Sequence, residues 1–337
     1  MVKNFIRCSV LLFIVVFNPL ASEDFQRFNV AFELLINQEY QRSSGELMRL
    51  LEDDPSDFDA LYFSVAVEQT RILDYDSYNL ESARFVQYAD SVRTSLENTL
   101  GNLTGSDSVR CAFYIANITG GIGIIQAKAG RWFDAVRNAI SSVNTLRDLT
   151  DKDPTLAEAK LGIGVFDYYL SNSLRWVPFT ENRAKRGIKA VRDALNAPSP
   201  FDLAAKNSLC WILIDEEEFA EADSLAQSVL DLAPENTIFL KIRALIALWT
   251  GRYSRAEKLA LQLIDASDSK TPVNWSDLVT GYYILINCHQ HNGREAELVR
   301  DADKILGRTI PPEFKDVSHI ESHLKHIRDT SRIFRVN

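Results

Sequence analysis

All five histidines of the chain lie in its last quarter, and three of them, His319, His323 and His326, are spaced i, i+4, i+7. On a helix that spacing puts three imidazoles on one side. Three imidazoles can hold a zinc ion and leave a fourth position for water, the starting point of metal-dependent hydrolysis. The zinc-peptidase order needs Glu directly after the first His, whereas Ile320 follows His319 and Glu321 comes next. No nucleophile or general base accompanies the three. The favoured expectation is therefore a solvated polar edge beside the apolar positions Val317, Ile320, Leu324 and Ile327. Gly162 with Gly164, and Gly120, Gly121 and Gly123, invite a nucleotide-loop reading. Neither cluster follows a strand, the first lacks a third glycine, and Lys128 is not placed as a phosphate-loop lysine. Close helix packing is expected at both, and no cofactor or metal.

The elements that carry these residues are helical throughout. Apolar positions recur at helical spacing and no alternation of strand type competes. Helices are expected in pairs: 24–38 with a helix opening at Tyr40, 58–73 with 80–100, 108–128 with 132–149, and 153–171 with 182–195. Then follow 201–215 with 219–232, 237–250 with 253–264, 275–291 with 294–306, and a last single helix, 314–332. Asp74-Tyr75-Asp76-Ser77 reads as a turn, Pro154 as the first turn of a helix, and Gly307 as a C-cap. Pro311-Pro312 is expected to stop the preceding helix.

Two of these pairs repeat each other. Glu217, Phe219, Ala222 and Leu230 recur 34 residues on as Gly251, Tyr253, Ala256 and Ile264. A period of that size marks stacked helical hairpins, each burying its apolar face only against a neighbour. The small residues let two backbones approach, and the aromatic is expected to fill the wedge between hairpins.

The hairpins resemble tetratricopeptide repeats. Ala244, Gly251, Tyr253 and Ala256 match one repeat. Cys210, Phe219, Ala222 and Pro234 match another, with Glu217 in place of the turn glycine. Gly123, Gly130, Trp132 and Ala135 match a third, and Ala31, Tyr40, Ser43 and Pro55 the first; the seventh keeps Gly293 but has Glu295 and Leu298 at the aromatic and alanine positions. The resemblance implies an all-α, right-handed solenoid of about seven hairpins with a C-terminal capping helix, in a single domain over residues 23–337. Residues 161–195 also resemble exported bacterial tetratricopeptide proteins of unassigned role, and distantly a eukaryotic family linked to inclusion-body clearance. Asn182-Arg183 stands where the bacterial pattern has Asp-Arg.

By repeat register, the concave groove is expected to be lined by Trp211, Lys241, Leu245, Trp249, Tyr283 and Asn287. The family's clamp for a peptide carboxylate needs paired Lys and Asn. Lys241 has Leu245 where the Asn belongs, and Asn287 has Tyr283 where the Lys belongs, so the clamp is absent. An apolar, aromatic groove suits an amphipathic helix or an extended peptide. The same residues packing on the next hairpin or the terminal helix is the competing expectation. Trp176, Pro178 and Phe179 fall in the longest connection, either as a plug against neighbouring hairpins or as a lip over the groove.

Composition limits the rest. Lys3 and Arg7 precede the apolar run Val10 to Phe17, and small residues follow before Glu23. This describes a secretory signal peptide over residues 1–22, cleaved near Ala21 or Ser22, and an exported chain, periplasmic or secreted. Its loss takes the charge from −9 to −11, since Lys3 and Arg7 leave. An acidic chain without blocks of like charge argues against nucleic acid. No later run approaches membrane length. Cys111, Cys210 and Cys288 fit no metal or redox spacing. The favoured function is a non-catalytic scaffold or adaptor for a protein or peptide. A hydrolase using the histidine helix and a carbohydrate binder using Trp176, Trp211, Trp249 and Tyr283 stand as alternatives.

Overall fold

The computed structural model describes residues 23–154, 156–173, 183–196 and 199–335. These form sixteen α-helices and, among the described residues, no β-strand. A 3-10 turn, Glu23–Phe28, leads into α1 (Asn29–Ile36), α2 (Tyr40–Asp53), α3 (Phe58–Asp74) and α4 (Tyr78–Leu100). Then come α5 (Gly105–Lys128), α6 (Trp132–Lys152), α7 (Ala157–Ser173), α8 (Ala184–Leu195), α9 (Asp202–Asp215) and α10 (Phe219–Leu230). The rest are α11 (Thr237–Trp249), α12 (Tyr253–Asp268), α13 (Trp275–His291), α14 (Glu295–Leu306), the short α15 (Pro312–Lys315) and α16 (Ser318–Arg335).

Contacts divide the chain into two compact units. The N-terminal unit contains the described residues up to 73 together with 81–212; the C-terminal unit contains 74–80 together with 213 onward. Within the first, α1 packs on α2, α5 on α6, and α7 on α6, α5 and α8. Within the second, α11 packs on α10, α12 and α13, and α13 also on α12 and α14. A helix that touches its hairpin partner and the equivalent helix of the next hairpin is the mark of α-solenoid stacking. Helix α16 packs on both members of the last hairpin, α13 and α14.

One turn recurs. Gln38, Gly130, Glu217, Gly251 and Gly293 each end the first helix of a pair with positive φ, between 60° and 78°. In each, the next amide donates back to a carbonyl five residues upstream: Glu39 to Leu34, Arg131 to Gln126, Glu218 to Leu213, Arg252 to Ala247, Arg294 to His289. The positive-φ residue itself donates to the carbonyl three residues back, as Gly251 does to Leu248. This Schellman arrangement satisfies carbonyls that the helix end would leave bare. The second helix then opens two residues later, at Tyr40, Trp132, Phe219, Tyr253 or Glu295.

Small residues set the helix spacing. A Cβ on Gly187 would lie 2.5 Å from the Gly164 carbonyl oxygen, and one on Gly164 would lie 2.7 Å from that of Gly187, so α7 and α8 touch backbone to backbone. A Cβ on Gly123 would sit 3.0 Å from the Ala135 carbonyl oxygen of α6, and one on Gly121 would run into the Gln69 carboxamide of α3. Both glycine clusters thus serve packing. Ser43 of α2 donates to the Ala31 carbonyl of α1 at 2.7 Å.

Several details depart from expectation. Pro154 lies ahead of α7, in a turn where the Leu156 amide donates to the Asp153 carbonyl, and the helix begins only at Ala157. Gly307 has φ −78°, so it continues the last turn of α14 rather than reversing it. Pro312 opens the short α15, where a missing amide donor costs nothing. Helix α5 is long and apolar enough, by length and composition, to cross a bilayer; 56% of its most apolar window is buried inside the protein, as in a core helix. Cys111, Cys210 and Cys288 are buried free thiols.

The turn makes a direct prediction. A side chain at positive φ costs roughly 1–2 kcal/mol, and Glu217 is exposed, so Glu217→Gly should raise stability by about 1 kcal/mol. Gly251→Ala should lower it by a similar amount. Urea midpoints of the two variants test this, and a fall for Glu217→Gly would contradict it.

Candidate functional site

In the C-terminal unit, buried charge gathers around the N-terminus of α13. Asn274 caps the helix, its side chain accepting from the Asp277 amide at 3.1 Å. The Asp277 carboxylate is fully buried and takes the Lys241 ammonium of α11 at 2.5 Å. The turn between α3 and α4 supplies two further buried carboxylates. Asp74 accepts from the Asn274 carboxamide at 3.4 Å and lies 3.9 Å from Lys270. Asp76, at φ 50°, accepts from the Ser276 hydroxyl at 2.6 Å. Burial pulls the Lys241 pKa down, but Asp277, Asp76 and Asp74 outweigh it and leave it above the ordinary lysine value. Lys270 goes the other way: burial lowers its pKa more than Asp74 restores it.

The histidine helix closes this site. His319 Nε2 stands 3.0 Å from Ser276 Oγ and 3.4 Å from Asp76. A Ser, a His and an Asp therefore meet, but not as a catalytic relay. In a relay the carboxylate holds the far ring nitrogen and leaves the hydroxyl to the imidazole; here Asp76 takes the hydroxyl itself and approaches the same Nε2. Further along α16, His323 stacks on Tyr283 of α13 at 4.0 Å and 13°, with Nδ1 3.4 Å from Thr280 Oγ1. His326 meets Tyr283 edge-on at 5.1 Å. The expected solvated edge is thus a packed face, because Ser276, Thr280 and Tyr283 offer polar and aromatic partners at matching helical spacing. Among the described residues no three His, Cys, Asp or Glu side chains form a metal-holding group. Burial depresses the His323 pKa well below the usual histidine value, and positive charge at His319, His326 and Lys241 adds to it. Burial also lowers His326, against Asp329.

The six residues assigned to a groove are divided. Trp211 is buried in the N-terminal unit. In the C-terminal unit Leu245 is buried, Lys241 is committed to Asp277, and Tyr283 lies under α16. Asn287 is half-buried and donates to the Tyr283 carbonyl at 2.7 Å, and Trp249 is half-buried. Trp176, Pro178 and Phe179 lie outside the described residues. Arg183, of the Asn182-Arg183 pair, approaches the buried Asp167 at 4.0 Å, where Arg147 and Arg186 converge at 2.6 and 3.1 Å.

Among the described residues the most exposed apolar surface lies elsewhere, on α6 of the N-terminal unit. Ala135, Ser142, Val143, Leu146 and Leu149 form its buried side. On the outer side Trp132 is 65% exposed, Phe133 97%, Val136 55% and Ile140 46%. The wedge-filling expectation therefore fails at Trp132, though Tyr40 is buried and Tyr253 is stacked on His291 at 4.3 Å. Arg131 and Arg137 flank the strip, both bonded to Asp134, at 2.8 and 3.0 Å. Sequence reasoning missed this face, although α6 shows more apolar positions than one buried side needs.

Hairpins joined by this turn define a helical-repeat protein of tetratricopeptide-like fold. No family model matches the chain, and no curated protein sequence does. Among solved structures it is similar to the C-terminal part of a TPR repeat-containing protein from Cytophaga hutchinsonii, with 14% identity over 90% of this chain and 98% of that one, at a TM-score of 0.42. A tetratricopeptide repeat protein from Parabacteroides merdae is similar at 12% identity, 90% and 98% coverage, and a TM-score of 0.41. A monomeric mutant of IFIT1 solved with m7Gppp-AAAA follows at 12% identity, 99% and 71% coverage, and a TM-score of 0.38.

Two outcomes are expected of the buried site. Lys241→Met should cost about 3 kcal/mol, because it strands Asp277 without a counter-charge; equilibrium urea denaturation measures it, and a loss under about 1 kcal/mol would contradict a buried pair. The histidine face should make stability depend on pH. With a folded pKa below the unfolded value of about 6.5, His323 contributes its full stabilisation above that pH and loses it progressively as pH falls below it. Melting curves between neutral and mildly acid pH should therefore show a smaller acid loss in His323→Gln than in the parent chain. Equal losses would exclude His323 as the source.

Proposed function

We propose that this chain is an exported protein-binding scaffold, in which stacked helical hairpins hold a docking face for another protein. The observation that carries it is the outer side of α6, where Phe133 stands almost fully in solvent beside Trp132, Val136 and Ile140. Contiguous exposed apolar surface of this kind marks interaction sites on folded proteins. The helix that bears it is fixed from behind by α5 and α7, with Gly123 allowing α5 to approach at backbone contact. A face on a rigid element binds without the entropy cost of ordering a loop. Export is supported by the basic start, apolar run and small residues of the first 22 positions.

Both parts can be tested in one strain. A photo-crosslinking amino acid at position 133 should capture a discrete protein in the exported fraction, and the same group at Asp148, also exposed on α6, should not. N-terminal sequencing of this chain from the exported fraction should start near residue 22. Capture at both positions alike, or at neither, argues against the scaffold; a chain retaining Met1 argues against export by cleavage.

A further inference from the structure

The partner chemistry can be taken further, on the reading that α6 is the docking face. We propose that this face receives an amphipathic helix of the partner whose apolar residues recur at i, i+3 and i+7 and whose flanks carry carboxylates. The spacing follows from the strip. Phe133, Val136 and Ile140 stand at i, i+3 and i+7, so the apolar surface runs along about two turns, roughly 10–12 Å. A helix laid beside it presents the same periodicity.

The area selects against a second copy of this chain. Given 150–250 Å² for a whole aromatic side chain, the four exposed groups offer on the order of 500 Å². A stable dimer buries about 800 Å² on each partner. The strip suits one short helix and falls short of a self-sufficient dimer. The rim sets the charge. Arg131 and Arg137 share the single carboxylate of Asp134, so the border of the strip carries one excess positive charge. Two copies meeting face to face would oppose those guanidinium groups, whereas an acidic-flanked helix pairs with them.

The test uses the full mature chain and stapled helical peptides of about three turns with Leu at i, i+3 and i+7, flanked by Glu in one and Lys in the other. Fluorescence anisotropy should show the Glu peptide binding more tightly, with the difference shrinking as salt rises. Phe133→Ser should weaken it at least about tenfold, the loss of one buried aromatic. Arg137→Glu should cost about threefold for the Glu peptide and none for the Lys peptide. Position 133 is exposed, so folding should survive, as circular dichroism would verify; Val136→Ser gives an independent reading if it does not. Equal affinity for the two peptides, or unchanged binding in Phe133→Ser and Val136→Ser, overturns the proposal. So does a concentration-dependent dimer in sedimentation that Phe133→Ser abolishes, which would make a second copy the occupant. Co-sedimentation with phosphatidylcholine vesicles that Phe133→Ser removes would assign the face to lipid. If the peptides fail while position 133 still crosslinks a discrete protein, only the helix inference falls; if both fail, the scaffold reading falls with it.

Discussion

The backbone reversal between the two helices of a hairpin is the constraint on which the rest depends. A single residue in the left-handed region lets two amides turn back onto carbonyls of the helix just ended. The next helix must then start two residues later. That fixed offset brings Ala31 against Ser43 and Gly123 against Ala135, and it is why the hairpins repeat as units. Where the chain has Gln38 or Glu217 at this position, it accepts conformational strain rather than give up the geometry.

Close approach converts the repeated turn into a rigid body. Backbones that touch, as α7 and α8 do at Gly164 and Gly187, leave no room for side chains to slide. The N-terminal unit adds an aromatic core to this. Phe63 meets Phe28 and Phe32 at 4.9 and 4.8 Å, and Tyr62 stacks on Tyr114 at 4.0 Å. The C-terminal unit uses buried charge instead, with Lys241 and Asp277 at its centre. Rigidity matters to function because a binding face is only as well defined as the helix that bears it.

How much of this was legible in the residues depended on the range of the interactions. The hairpins, their turns and the glycine packing follow from local periodicity, and Glu217 could be aligned with Gly251 because backbone geometry repeats even when the side chain does not. The turn 74–77 looked like an ordinary polar connection, yet Asp74 and Asp76 are buried because Asn274, Ser276 and Lys270 receive them. Nothing within a few residues of Asp74 signals partners so far along the chain. The i, i+4, i+7 spacing marks the histidines as one face, but the direction of that face is set by Tyr283 and Thr280 on another helix. At Trp132 the repeat pattern does not predict burial, since a position that is buried at Tyr40 faces solvent in this hairpin. Pro154 misled in a smaller way, because a turn intervened before the helix.

The buried turn between α3 and α4 has a further consequence. Its contacts with Asn274 and Ser276 span 200 positions along the chain. Helical-repeat chains ordinarily fold from neighbour to neighbour and tolerate shortening from either end. Here the last hairpins reach their final packing only when a segment made much earlier is already present. During synthesis, Asp74 and Asp76 emerge long before their partners and must wait in water. The C-terminal hairpins, cut away from that early segment, would expose a polar cavity where a charged plug belongs.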